Sequence, residues 1–98
     1  MHARISRFAG LDPERIEETV RQFEADALRD LEEQPGFQGI TVCVNRKTGQ
    51  AAAISLWASE SDMKRSEVVA IQAREQAVAS AGPSRTPVVD RYEVVLHK

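Results

Sequence analysis

Five residues stand at spacings that could do chemistry: Arg4 and Ser6 near the start, Ser55 and Trp57 in the stretch "AISLWASESDM", and Tyr92 near the end. Side chains two apart on a strand share a face, so Arg4 travels with Ser6 and Ser55 with Trp57. Trp57 is the only tryptophan. Its ring is either the wall of a pocket or a packing group whose N–H finds a partner inside the core. Arg4, if aimed into a cavity, would hold a phenolate or carboxylate and stabilise a developing anion. In the plainer reading Arg4 pairs with Asp90 or Glu93 on a neighbouring strand, an interaction worth little when exposed. His2 and His97 lie near the ends, where fraying fixes a catalytic geometry poorly. The single Cys43 sits in the apolar run "FQGITVCV" and reads as a small buried hydrophobe, because no base or cation stands near it to activate a thiolate.

Composition narrows what those residues can be part of. The chain has 98 residues, 42% apolar and 29% charged, with a net charge of −2. These values suit a soluble globular protein, and a chain this short forms one domain, residues 1–98, which a partner subunit would help to stabilise. No basic block offers a footprint for nucleic acid or an anionic membrane. No span could cross a bilayer, and "MHARISRF" lacks the apolar stretch of a signal peptide, so the expected location is the cytoplasm. There is no metal-ligand spacing and no Gly-rich phosphate loop.

The elements that must position the candidates follow from periodicity and punctuation. "HARISRF" suits a short strand. Asp12 as N-cap and Pro13 at the first turn open a helix whose apolar stripe, Ile16, Val20, Phe23, Ala27 and Leu31, runs to a stop at Pro35 and Gly36. Between Asp12 and Glu33 this helix carries nine acidic and three basic residues. Such a surface is a solvated outer face or an acidic docking face. "GFQGITVCV" and "QAAAISLWA" form a hairpin through "NRKTGQ", where Asn45 starts the turn and Gly49 supplies positive φ. Ser59 and Asp62 form a variant capping box for a second, Ala-rich helix that ends at Gly82 and Pro83. "PVVDRYEVVLHK" closes the chain as a strand.

The order strand, helix, strand, strand, helix, strand is the split βαβ or ferredoxin-like α+β plan, with two helices on one face of a four-stranded antiparallel sheet. Alternation places Phe37, Gly39, Thr41 and Cys43 on one face of the second strand, opposite Gln38, Ile40, Val42 and Val44. In the third strand Ala51, Ala53, Ser55 and Trp57 oppose Ala52, Ile54 and Leu56. Neither face carries a charge, so both look covered, and a second copy of the chain packed sheet to sheet is the economical cover.

The run "PGFQGITVCVNRKTGQAAAISLWASESDMKRSE", an alanine-rich helix and a terminal "RYEVV" resemble the antibiotic biosynthesis monooxygenase (ABM) domain family, whose members are dimeric α+β barrels. The resemblance is nearest to small single-domain members without an assigned activity. It implies a homodimer through the sheet face and, by analogy with polyketide-oxidising members, a cofactor-free monooxygenase acting on a small aromatic or polyketide-like compound. Trp57 would line the pocket mouth, Ser6 and Ser55 would flank it, and Arg4 or Tyr92 would orient the phenol. Haem-degrading relatives pair that Trp with an Asn on the first strand and an iron-ligating His on the second helix. This chain has no Asn in "HARISRF" and no His between Ser59 and Gly82. The other reading is a non-enzymatic dimeric barrel that binds a ligand or serves a structural role.

Overall fold

The computed structural model describes residues 1–81 and 86–98. Strand β1 (His2–Phe8) is followed by a 3-10 turn (Pro13–Arg15), helices α1 (Ile16–Asp26) and α2 (Leu28–Glu32), strands β2 (Phe37–Asn45) and β3 (Gln50–Trp57), helices α3 (Glu60–Arg65) and α4 (Glu67–Ala81), and strand β4 (Val88–Glu93). The four strands make one sheet in the order β2-β3-β1-β4, with every pairing antiparallel. This is the expected ferredoxin-like α+β plan.

Both expected helices are present, each in two pieces. Asp12 caps the first by accepting from the Glu14 amide at 3.0 Å, and the apolar stripe bends where α1 gives way to α2 at Ala27. The second starts as expected, with the Ser59 hydroxyl accepting from the Asp62 amide at 3.1 Å. It then breaks at Ser66, whose Oγ donates to the Met63 carbonyl at 2.7 Å. A serine bonded back to its own preceding turn competes with the helical ladder, although the Ser66 amide still donates to the Asp62 carbonyl at 3.1 Å and its carbonyl accepts from the Ala70 amide at 2.9 Å. The expected stop at Gly82 and Pro83 lies outside the described residues.

The hairpin turn is held by Asn45, whose Oδ1 accepts from the Lys47 and Thr48 amides at 3.0 and 3.2 Å. Gly49 has φ 69°, and a Cβ there would meet the Leu11 carbonyl oxygen at 2.8 Å. Glycine is therefore required both by conformation and by the approach of the β1–α1 loop.

The helices pack on the sheet face that carries Arg4, Ser6, Phe8, Ala51, Ala53 and Ser55. Strand parity holds from Gly39 onward but not before it. A bulge between Phe37 and Gly39 moves Phe37 to the side of Trp57, so Phe37 does not share a face with Gly39, Thr41 and Cys43. Its ring packs edge-on against Trp57 at 5.5 Å and 80°. Gly39 takes φ 150°, a conformation that a bulge next to glycine tolerates. Trp57, Met63, Leu31, Ala27, Ala70 and Ala73 form the core.

The opposite sheet face carries Ile5, Ile54 and Leu56, with Thr41, Cys43 and Tyr92 exposed. Cys43 is thus not the buried packing group its apolar setting suggests: its side chain stands on the face that no described helix covers. The acidic face of α1 and α2 is solvated, with ion pairs Arg21–Glu18, Arg29–Glu33 and Arg46–Glu17 all on the surface.

Candidate active site

A cavity of about 110 Å³ lies between the sheet and helices α1 and α4. Its walls are apolar over most of their extent: Phe8, Leu11, Ile16, Val20 and Phe23 on one side, Ile40, Val42, Val44, Ala51 and Ala53 on the sheet, and Ala70, Ala73 and Ala77 on α4. Val42 lines the cavity and is also 43% exposed, which puts the mouth over the edge strand β2. The polar lining consists of Arg4, Ser6, Ser55, Thr19 and Arg74.

Arg4 is the most enclosed charge among the described residues, 2% exposed. Its Nη1 donates to the Met63 carbonyl at 3.2 Å, to Ser66 Oγ at 3.0 Å and to Glu67 Oε1 at 3.1 Å. The guanidinium also lies over the indole of Trp57, 5.3 Å from the ring centroid, a cation–π distance. Burial pushes the Arg4 guanidinium below its ordinary value, and Glu67 opposes that shift. The expected pairing of Arg4 with Asp90 or Glu93 is replaced by one across the layers, from β1 to α4, while Asp90 pairs with Arg7 at 2.8 Å.

Glu67 is the hub of the polar end. Arg91 of β4 grips it with two bonds, Nε to Oε1 at 2.8 Å and Nη2 to Oε2 at 2.9 Å, and Arg74 Nη2 stands 3.8 Å from Oε2. The Arg91 bonds hold the Glu67 carboxyl below its usual range, with Arg4 adding to the shift. Three guanidinium groups around one carboxylate leave a formal surplus of two positive charges. Arg74 is the least engaged of them: its Nη1 reaches Ser6 Oγ at a long 3.4 Å, and burial depresses its guanidinium.

Of the expected site residues, Arg4, Ser6 and Ser55 do line the cavity. Trp57 is 0% exposed and sits behind that lining, its Nε1–H donating to Ser55 Oγ at 2.9 Å. It is a core residue that braces two lining residues, Arg4 and Ser55, rather than part of the wall. Tyr92 is misplaced by the expectation. It pairs with Ala3 while Arg91 pairs with Arg4, so alternation sends Tyr92 to the outer face, where it is 47% exposed. The residues that sequence reasoning missed are Ser66, Glu67 and Arg74. A signal for them exists: Ser66, Ala70, Ala73 and Ala77 make a small-residue stripe, and Glu67 and Arg74, seven apart, border it on one side.

No family model matches the chain, and no curated protein matches it. Solved structures do. The haem degrader MhuD of Mycobacterium tuberculosis, with two haems in its active site, superposes with a TM-score of 0.72 at 20% identity over 100% of this chain and 99% of that one. The monooxygenase ActVA-Orf6 of Streptomyces coelicolor, bound to nanaomycin D, gives 0.74 at 16% identity over 99% and 92%. SnoaB of Streptomyces nogalater, a cofactor-independent oxygenase, gives 0.69 at 16% identity over 98% and 94%. A haem does not suit the site described above. Its described lining offers no His, Cys or Tyr as axial ligand, and Arg4, bonded to Ser66, fills the polar end. The chain has the fold of these oxygenases and of the structures known as antibiotic biosynthesis monooxygenases, as its sequence resemblance implies.

Proposed function

We propose that the protein is a cofactor-independent monooxygenase that acts on a small aromatic or polyketide-like compound held between the sheet and helices α1 and α4. The observation that carries this reading is an apolar cavity closed at one end by guanidinium groups in excess of carboxylate. An engineered apolar cavity of about 150 Å³ accepts benzene, so the space between the layers is of the order of one ring, and further rings would extend through the mouth. SnoaB and ActVA-Orf6 lend the chemistry by analogy of fold.

In this reading the substrate's own electrons reduce dioxygen. A hydroxylated ring that bears a CH2 group becomes an electron-rich anion, gives an electron to dioxygen and ends as a carbonyl compound. The overall change is CH2 plus O2 to C=O plus H2O. The protein contributes binding, orientation and exclusion of water, and Arg74 with Ser6 stabilises the anion from which the electron leaves. Arg4 is a positioning residue, since its Nη1 bonds are spent on Met63, Ser66 and Glu67. The outer sheet face, with Ile5, Ile54 and Leu56, is the interface of a homodimer in the same proposal.

One observation favours a second reading, a non-enzymatic ligand-binding barrel: Trp57 is wholly buried with its N–H satisfied. Dioxygen uptake decides between them. With anthrone or 1,8-dihydroxyanthrone as substrate, the enzyme reading expects uptake above the protein-free rate that Arg74→Gln reduces at least tenfold. Saturable binding without uptake across such a panel would leave the binding barrel.

A further inference from the structure

We infer that the cavity selects ligands that arrive already ionised, amphipathic monoanions with a carboxylate or an acidic enol at one end, anchored by Arg74 and Ser6. The inference deepens the proposed function and rests on its placement of the substrate. It begins from a mismatch between what the lining can hold and what it can accept. The two ionisable groups among the described lining residues are Arg4 and Arg74, both permanent cations, and the remaining polar lining is Ser6, Ser55 and Thr19. A neutral phenol brought into this space meets donors for its anion but no carboxylate or imidazole to take its proton.

Glu67 does not fill that role. It is turned into the guanidinium cluster, Arg91 and Arg4 hold it ionised, and a carboxyl with a depressed pKa is a weak base. Around Arg74 the charged neighbours are Arg4 from β1, Arg91 from β4 and Glu67 from its own helix, while α1 contributes Thr19 to the described lining. Their sum is positive, so a bound anion relieves repulsion among the guanidinium groups. Arg74 is the partner of choice because its bonds within the chain are long, 3.4 Å to Ser6 and 3.8 Å to Glu67, and an oxyanion would draw it in.

The consequence is a pH dependence that belongs to the ligand. Arginines stay protonated throughout the working range, so the affinity for a carboxylate is flat from about pH 6 to about pH 9. A naphthol, ionising near the phenolic reference of about 10, would gain affinity about tenfold per pH unit below that value, in step with its anionic fraction.

The test is calorimetric titration of the whole chain with 1-naphthoate, its methyl ester and 1-naphthol across that pH range, repeated on Arg74→Gln and Arg74→Lys. Expected are a flat profile for naphthoate, at least tenfold weaker binding of the ester, a rising profile for naphthol, at least tenfold loss in Arg74→Gln, and partial retention in Arg74→Lys. Ester binding as tight as acid binding, a naphthol profile without slope, or no naphthoate binding at millimolar concentration would each overturn the inference. The same preparations in an oxygen electrode separate this from the functional reading. Naphthoate binding without uptake of dioxygen with either anthrone removes the oxygenase and keeps the anion site. Uptake with a KM for 1,8-dihydroxyanthrone independent of pH keeps the oxygenase and removes the anion requirement.

Discussion

The two faces of the sheet place charge and apolar surface in opposite ways. Toward the helices stand Arg4, Ser6, Ser55 and Trp57; a guanidinium is buried there to 2% exposure, and an apolar cavity remains beside it. On the outside stand Ile5, Ile54, Leu56, Cys43 and Tyr92, apolar or weakly polar, with the exposed pair Arg7–Asp90 near the edge. A domain built only for stability would do the reverse, because burying a charge is expensive and exposing a contiguous apolar face invites association. In the proposed reading the inner face is arranged for a ligand and the outer one for a second copy of the chain.

The largest effect expected from breaking that arrangement comes from Trp57→Ala. The indole is fully enclosed, packs edge-on with Phe37 and carries Arg4 on its face. Its removal is expected to cost about 3–5 kcal/mol in denaturant unfolding. A cost below about 1 kcal/mol would mean that the inner face can collapse without it, and the comparison would fail.

Next comes Glu67→Gln, which leaves Arg4 buried beside a neutral partner. Breaking a buried pair from one side costs about 3 kcal/mol at neutral pH. Because the folded pKa of Glu67 is depressed below its ordinary 4.5, its contribution is complete above that value and disappears as pH falls through the folded pKa. The stability curves of the natural chain and the variant are accordingly expected to draw together as pH falls below that ordinary value and through the folded pKa, as followed by thermal unfolding. Parallel curves down to pH 3 would remove the hub role of Glu67.

These two residues show how far the sequence can be read. Trp57 was visible as a strand-end aromatic, and its choice between wall and core was a matter of depth that strand parity does not contain. Parity gives a side of the sheet; whether the ring or its neighbour Ser55 meets the cavity depends on the helix packed above. Glu67 is hidden in the sequence because a helix from Ser59 to Ala81 does not say which of its acids meets the sheet; the contacts with Arg4 of β1 and Arg91 of β4 are long-range. Phe37 was assigned to the wrong face for a related reason, since a bulge adds one residue and inverts every parity before it. Alternation says that Tyr92 and Arg91 take opposite faces, and only the register, with Arg91 beside Arg4, sends Tyr92 outward. The element order, the caps at Asp12 and Ser59 and the turn at Asn45 and Gly49 are local and were legible.

The outer face is sharpened by Ile54→Asp. In a two-fold interface each substitution appears twice, so two carboxylates are placed in the apolar contact. Light scattering is expected to show a dimer for the natural chain and dissociation at least a hundredfold easier for the variant. Cys43 gives an independent reading: its thiol, exposed in the single chain, should react faster with an aromatic disulfide reagent as the protein is diluted below the dimer's dissociation constant. A monomeric mass at micromolar concentration with a dilution-independent thiol rate would show that the face is bare.

The smallest effect separates the two ion pairs that β1 contributes. Arg7 and Asp90 meet at 2.8 Å with side chains 49% and 45% exposed, whereas Arg4 and Glu67 meet at 3.1 Å with side chains 3% and 22% exposed. The shorter pair is the weaker one, since water screens it and two long side chains must be held in place. Arg7→Ala is expected to change stability by less than about 1 kcal/mol, and by less still as salt is raised. A cost for Arg7→Ala as large as that of Glu67→Gln would mean that distance rather than burial ranks these pairs. It would also mean that the outer face near Arg7 is dry, which in this fold requires a partner seated on it.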